Sequence, residues 1–165
     1  MFITIFHEEG GFIKASLGSK IPWLSNPDWA MVSVIMVEVW NWTPFVFIVL
    51  LAALQNIPEE YYEAARLESS SSWEMFRYIT LPILQPSIIL VLILRMSEAF
   101  KVFDIPFALT SGGPGISTQT FSMLTFDTYR RFFDFGYGSA LAYLLLLVVS
   151  IIVTSFFGRI RQAYT

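Results

Sequence analysis

Six residues inside apolar runs of this 165-residue chain have side chains that could do chemistry: Glu38, Trp40, Asn41 and Trp42 in one run, Arg95 and Glu98 in another. An ionisable group at bilayer depth costs about 2.5–3.5 kcal/mol on insertion scales, so it normally faces a partner or a wet cavity. Asn41 between two tryptophans has the chemistry of a carbohydrate site, with amide hydrogen bonds for hydroxyls and rings for the apolar face of a sugar. The competing use is contact between helices, where polar residues also serve. Arg95 and Glu98 are three apart and can share a helix face, which allows a private ion pair. Glu38, Arg95 and Glu98 could also form an acid–base set, so a membrane-embedded enzyme is one candidate.

Other chemistries lack their residues. There is no cysteine, hence no thiolate nucleophile and no thiolate metal site. The one histidine, His7, stands beside Glu8 and Glu9, a group that could touch a metal but reads more simply as a solvated loop end. No G-x-x-x-x-G-K-[ST] occurs, so ATP would have to be held by another subunit. Gly112-Gly113-Pro114-Gly115 has no lysine after it and reads as a turn. Neither G-x-S-x-G nor H-E-x-x-H is present. Hydrophobic residues make up 55% of the chain and charged residues 14%. A soluble domain carries about 25% charged residues, so this surface calls for a membrane as solvent. The mean hydropathy of +0.61 agrees. With a net charge of −3 there is no basic footprint for nucleic acid.

One polar stretch, Ile57 to Pro82, interrupts the oily sequence around Glu63-Ala64-Ala65. Pro58 suits the first position of a helix, and Glu59 and Glu60 then occupy the turn where the dipole favours negative charge. Tyr62, Ala65, Ser69, Ser72 and Phe76 recur at three- and four-residue spacing and give a face of small and aromatic groups. The serines at 69–72 are poor helix formers and predict a break. Ser71 and Glu74 have capping-box spacing, which predicts a second short helix starting at Trp73. An amphipathic loop lying on the membrane is the plain alternative.

These groups must be positioned by helices. Residues 1–6 are too short to span a bilayer, and the Gly- and Pro-punctuated segment after them reads as loop. Residues 30–54 exceed the roughly 20 residues needed to cross the hydrocarbon and form a first span. Residues 57–81 are the polar loop, 83–100 a second span, and 101–137 a long connection whose second half is a short interfacial amphipathic helix. Residues 138–158 form a third span. The fold class is therefore an all-α membrane protein. Counts of Lys and Arg on the two sides nearly tie and leave orientation open.

Glu63-Ala64-Ala65, then Glu68 and Ser70, Trp73-x-x-Phe76 and Ile79-Thr80-Leu81-Pro82, resemble the signature loop of binding-protein-dependent ABC importer permeases. Ser69 departs from that pattern, which has glycine there. Further likeness extends from about Phe6 to the end. IPWL-x-x-P-x-WA, W-x-W-T-PF, R-x-x-E-A-FKVFD and LT-x-GGPG are similar to the sugar-type permeases of the maltose and glycerol-3-phosphate importer class. Lys14 departs from the asparagine usual in that loop.

The resemblance implies a partial type-1 permease bundle of three full transmembrane helices plus a cytoplasmic coupling helix, in a bacterial inner membrane. It implies a subunit that is not itself an enzyme. It also implies an ATPase dimer in the cytoplasm that binds the ATP and magnesium, a second permease subunit and an extracytoplasmic solute-binding protein. Glu63, Ala64, Ala65, Glu68, Ser69, Trp73 and Phe76 would dock the ATPase. By their chemistry and depth, Glu38, Trp40, Asn41, Trp42, Arg95 and Glu98 would line the solute path, and the resemblance makes that solute a sugar, oligosaccharide or polyol phosphate. At ~1.5 Å per residue the charged and amide positions lie roughly 16–24 Å from the same membrane face. Family members have about 120 further residues in front, so a truncated permease, or a fragment with only a structural role, is also expected.

Overall fold

The computed structural model describes residues 1–8, 10–18, 21–67 and 71–163, and among them there are helices and no strands. Two units make up the chain: Met1–Asn41 with Ser97–Thr165, and Trp42–Met96.

In the first unit, α1 (Phe2–Phe6) and α2 (Phe12–Leu17) meet at Gly11. Gly11 N–H donates to the His7 carbonyl at 2.9 Å. A Cβ at Gly11 would run into the Ile5 carbonyl oxygen at 2.6 Å, so only glycine fits this corner. The sequence reads α2 as loop; Gly11 and Gly18 instead bracket a helix, and Gly18 closes it in the left-handed region at φ 65°.

Helix α3 (Pro27–Gln55) comes next. Its outer part buries Ala30, Ser33, Val34 and Val37, the i, i+3, i+4, i+7 stripe of a helix packed along one side. Val34 and Val37 join Phe6 and Leu109 as a core, with Ile5, Ile13, Trp23 and Ile105 against it. Trp23 stacks edge-on between Phe6 at 5.6 Å and Trp29 at 5.1 Å. Ser33 Oγ satisfies its buried position through the Trp23 and Trp29 carbonyls, at 3.0 and 2.9 Å.

The second unit holds the inner part of α3, then α4 (Glu59–Leu67) and α5 (Ser72–Met75). A π turn over Phe76–Thr80 carries α5 into α6 (Leu81–Ala99) without a stop. The short second helix expected at Trp73 and the span expected at 83 are thus one helix, Ser72–Ala99.

Back in the first unit, the long connection contains a helix that the sequence does not announce, α7 (Asp104–Thr110); it then turns through Gly112 at φ 87°. The Thr110 and Thr118 hydroxyls, 2.6 Å apart, tie that turn, and Thr118 Oγ1 also donates to the Gly113 carbonyl at 3.0 Å. The run is thus a closed turn, as its sequence reads. The expected amphipathic helix is α8 (Phe121–Arg130), and α9 (Phe135–Ala163) packs on it, with Gly138 lying against the Tyr129 backbone.

Among the described residues, three helices are long and apolar enough to cross a membrane: Pro27–Gln55, Ser72–Ala99 and Phe135–Phe157. Between 6% and 17% of their most apolar windows is buried within the chain, so their cover comes from outside it.

Candidate functional site

The polar stretch folds into an elbow within the second unit. Its local construction comes from neighbouring residues. Ser71 Oγ accepts from Glu74 N–H at 3.2 Å and Glu74 Oε2 accepts from Ser71 N–H at 3.0 Å, a complete capping box. Pro82 has no N–H to give to the Tyr78 carbonyl. Just before it, Leu81 N–H reaches back five residues to the Phe76 carbonyl, and the helix widens into its π turn.

Between α4 and the α5–π segment lies a cleft of about 810 Å³, lined by Pro58, Glu60, Tyr61, Ala64 and Ala65 on one side and Glu74, Met75, Tyr78 and Ile79 on the other. Ala65 is buried within the chain, whereas Glu63 and Ala64 are exposed. The surface open to a partner is therefore carried by Glu63 and Ala64, and Ala65 is the small residue that lets the elbow close on itself. Trp73 and Phe76 stack at 5.7 Å, with Trp73 67% exposed, and Tyr78, on the cleft lining, is 71% exposed. Large aromatics left open around a cleft with carboxylates are the composition of an interaction surface. Glu68 and Ser69 lie outside the described residues.

The second group of candidates is divided between the units. In the second, the Arg95 guanidinium lies 4.3 Å from the centroid of the Trp42 ring, and Phe45 meets that ring edge-on at 5.8 Å. Trp42 and Arg95 are both half-buried. The sequence marks both residues; a contact across 53 positions leaves no trace in local spacing. In the first unit, Trp40 and Asn41 are exposed and Glu38 is half-buried. Glu98 pairs with Lys101 at 2.8 Å.

The histidine–glutamate group at the start does something else. Glu8 Oε1 accepts from the Leu24 and Ser25 backbone N–H groups at 3.2 and 2.8 Å, fastening the α1–α2 corner to the entrance of α3. Hydrogen bonding from Ser25 holds its carboxyl below the usual range, against a smaller opposing effect of burial. Among the described residues no cluster of His, Asp or Glu could hold a metal.

Membrane-length helices joined by a polar helical elbow define a multi-pass helical membrane protein. The chain belongs to the family of binding-protein-dependent transport system inner membrane components, which it matches over residues 1–163. It is 38% identical over 164 residues to the sulfoquinovosyl glycerol transport system permease protein SmoG of Agrobacterium fabrum, covering 97% of this chain and 53% of that one. With the trehalose/maltose transport system permease protein MalF of Thermococcus litoralis it shares 44% over 154 residues, 92% of this chain and 52% of the relative. The chain thus spans about half the length of these curated relatives. The crystal structure of a bacterial ABC transporter that imports the acidic polysaccharide alginate superposes with a TM-score of 0.89 at 23% identity, over 98% of this chain and 58% of that one. The sugar-type permease likeness and the all-α fold read from the sequence both hold. These relatives are permeases, not enzymes, and the family's place is the inner membrane.

Proposed function

We propose that the chain is a permease subunit of an ATP-driven, binding-protein-dependent importer, and that its elbow is where a cytoplasmic ATPase dimer grips it. The observation that carries this reading is the open cleft lined by Glu60, Ala64 and Tyr78, together with the exposure of Glu63, Trp73 and Phe76 on the same elbow. ATP and magnesium are bound by the ATPase, and a second permease subunit completes the path. A solute-binding protein delivers cargo on the opposite side, at the turn around Gly112. Differential contact of the ATPase with the elbow in its two states supplies the coupling that alternating access needs. The relatives' names print sulfoquinovosyl glycerol and trehalose or maltose, and the structural neighbour carries alginate. Our proposed cargo is accordingly a sugar, oligosaccharide or polyol phosphate. Trp42 and Arg95 offer a ring and a planar donor set suited to it; Glu38, Trp40, Asn41 and Glu98 join them on their chemistry and depth in the apolar runs.

The test is co-purification. The chain expressed with its transporter should retain an ATPase subunit, and Ala64→Trp, which fills the open side of the cleft, should lose it while the protein stays in the membrane. Retention by Ala64→Trp at the parent level would remove the elbow as the docking site. Uptake by the chain in the absence of any second permease would remove the subunit arrangement.

A further inference from the structure

The elbow contains a hydrogen bond that neither the cleft nor the pathway uses. Tyr62, on α4, and Thr80, the last residue of the π turn, have their hydroxyl oxygens 3.0 Å apart. Thr80 is 7% exposed, and its Oγ1 also lies 3.5 Å from the Met75 carbonyl, as a donor. Either hydroxyl can donate to the other, and the pair needs both oxygens. The π turn takes one residue more than an α turn between Phe76 and Leu81, and so rotates the later part of the helix by ~100° relative to a regular one. That rotation sets the facing of Thr80 towards α4. Tyr62 itself is half-buried and stands one position before Glu63, on the inner side of the helix whose outer side bears Glu63 and Ala64.

We propose that Tyr62 and Thr80 are positioning residues: their hydrogen bond locks the docking helix α4 to the head of the membrane helix α6, so that a push on Glu63 and Ala64 turns α6 directly. This role rests on the elbow being the ATPase contact. Among the described residues α4 ends at Leu67 and the next helix begins at Ser72, and the hydroxyl contact is a direct lateral tie between the two segments. A partly buried hydroxyl pair is a suitable tie because the buried Thr80 hydroxyl left alone would lose its partner where water is scarce. Closure of the elbow over Ala65 keeps the two segments near enough for the bond to form.

The chain has no native cysteine, which permits a direct measurement. Nitroxide labels on cysteines introduced at Glu59 and Ile83, both exposed, report the α4–α6 distance in the assembled transporter in lipid vesicles. Parent and Thr80→Ser, which keeps the hydroxyl, should give one narrow distance, unchanged in width when ATP, magnesium and vanadate are added. Tyr62→Phe and Thr80→Val should broaden it and cut ATP-driven uptake of a maltooligosaccharide probe by a factor of roughly 2 to 12, the worth of one neutral hydrogen bond; if that probe is not carried, the broadening is the readout. Each variant should still retain the ATPase. Narrow distances and full coupling in Tyr62→Phe and Thr80→Val would overturn the proposal, as would failure of Thr80→Ser to behave like the parent. Loss of the ATPase from the parent would instead strike the docking assignment, and the label widths without nucleotide would still report the tie.

Discussion

At the scale of single residues, Arg95 and Glu8 carry charge into places where it must be held. Arg95 on Trp42 is a planar cation over a ring, and such a contact is worth about 0.5–2 kcal/mol depending on desolvation. Trp42→Leu and Arg95→Met should each destabilise the protein in detergent, and the double variant should cost less than their sum by that amount. Strict additivity in a thermal-melt cycle would show that the ring and the guanidinium do not act together. Arg95→Lys should not restore the parent, because an ammonium lacks the planar face that stacks. Glu8 gives a pH dependence with a definite sign. Its folded carboxyl gives up its proton more readily than an ordinary glutamate at about 4.3, so its stabilisation is full above that value and fades as pH falls through the lower folded one. Melting of Glu8→Gln should lie below the parent at neutral pH and converge with it in acid. A gap that does not narrow at all as pH falls below the ordinary carboxylate range would contradict this assignment. The candidate residues themselves were legible, since Trp, Asn and Arg in apolar runs announce themselves. Their partners were not, because Arg95 and Trp42, or Tyr62 and Thr80, meet only after the helices pack.

At the scale of elements, legibility tracks how local the cause is. The capping box at Ser71 and Glu74 depends on four consecutive residues and was readable directly. The spans were readable because nothing else explains such apolar lengths. Helices α2 and α7 were not, because FIKASL and DIPFALT are short, flanked by glycine or interrupted by proline, and held by tertiary contacts of Ile13, Ile105 and Leu109. The π turn was hidden for a related reason: Pro82 reads equally well as the start of a span and as an interruption within one. Gly11→Ala tests the corner that places α2. The added methyl meets backbone carbonyls that cannot step aside, so a loss of roughly 1–3 kcal/mol is expected in thermal or denaturant melts. Ser71→Ala should cost about 1 kcal/mol and fray the start of α5. Hydrogen exchange at Trp73, Glu74 and Met75 reads that fraying, and unchanged protection there would count against the cap.

At the scale of the whole molecule, the low burial of the three long helices is the governing fact. So little of their apolar surface is covered within the chain that the rest calls for cover from outside it, lipid above all. The family assignment agrees, and the chain corresponds to about half of its curated relatives. In the proposed assembly the elbow, not the Gly112 turn, faces the ATPase. Single cysteines at Ala64 and at Ile116, both exposed and free of any native competitor, place a short photocrosslinker at each site of the assembled transporter. Ala64 should crosslink to the ATPase subunit, and do so differently with and without ATP, while Ile116 should crosslink to the solute-binding protein. ATPase captured from Ile116, or none captured from Ala64 in an assembly that still holds it, would contradict the docking assignment.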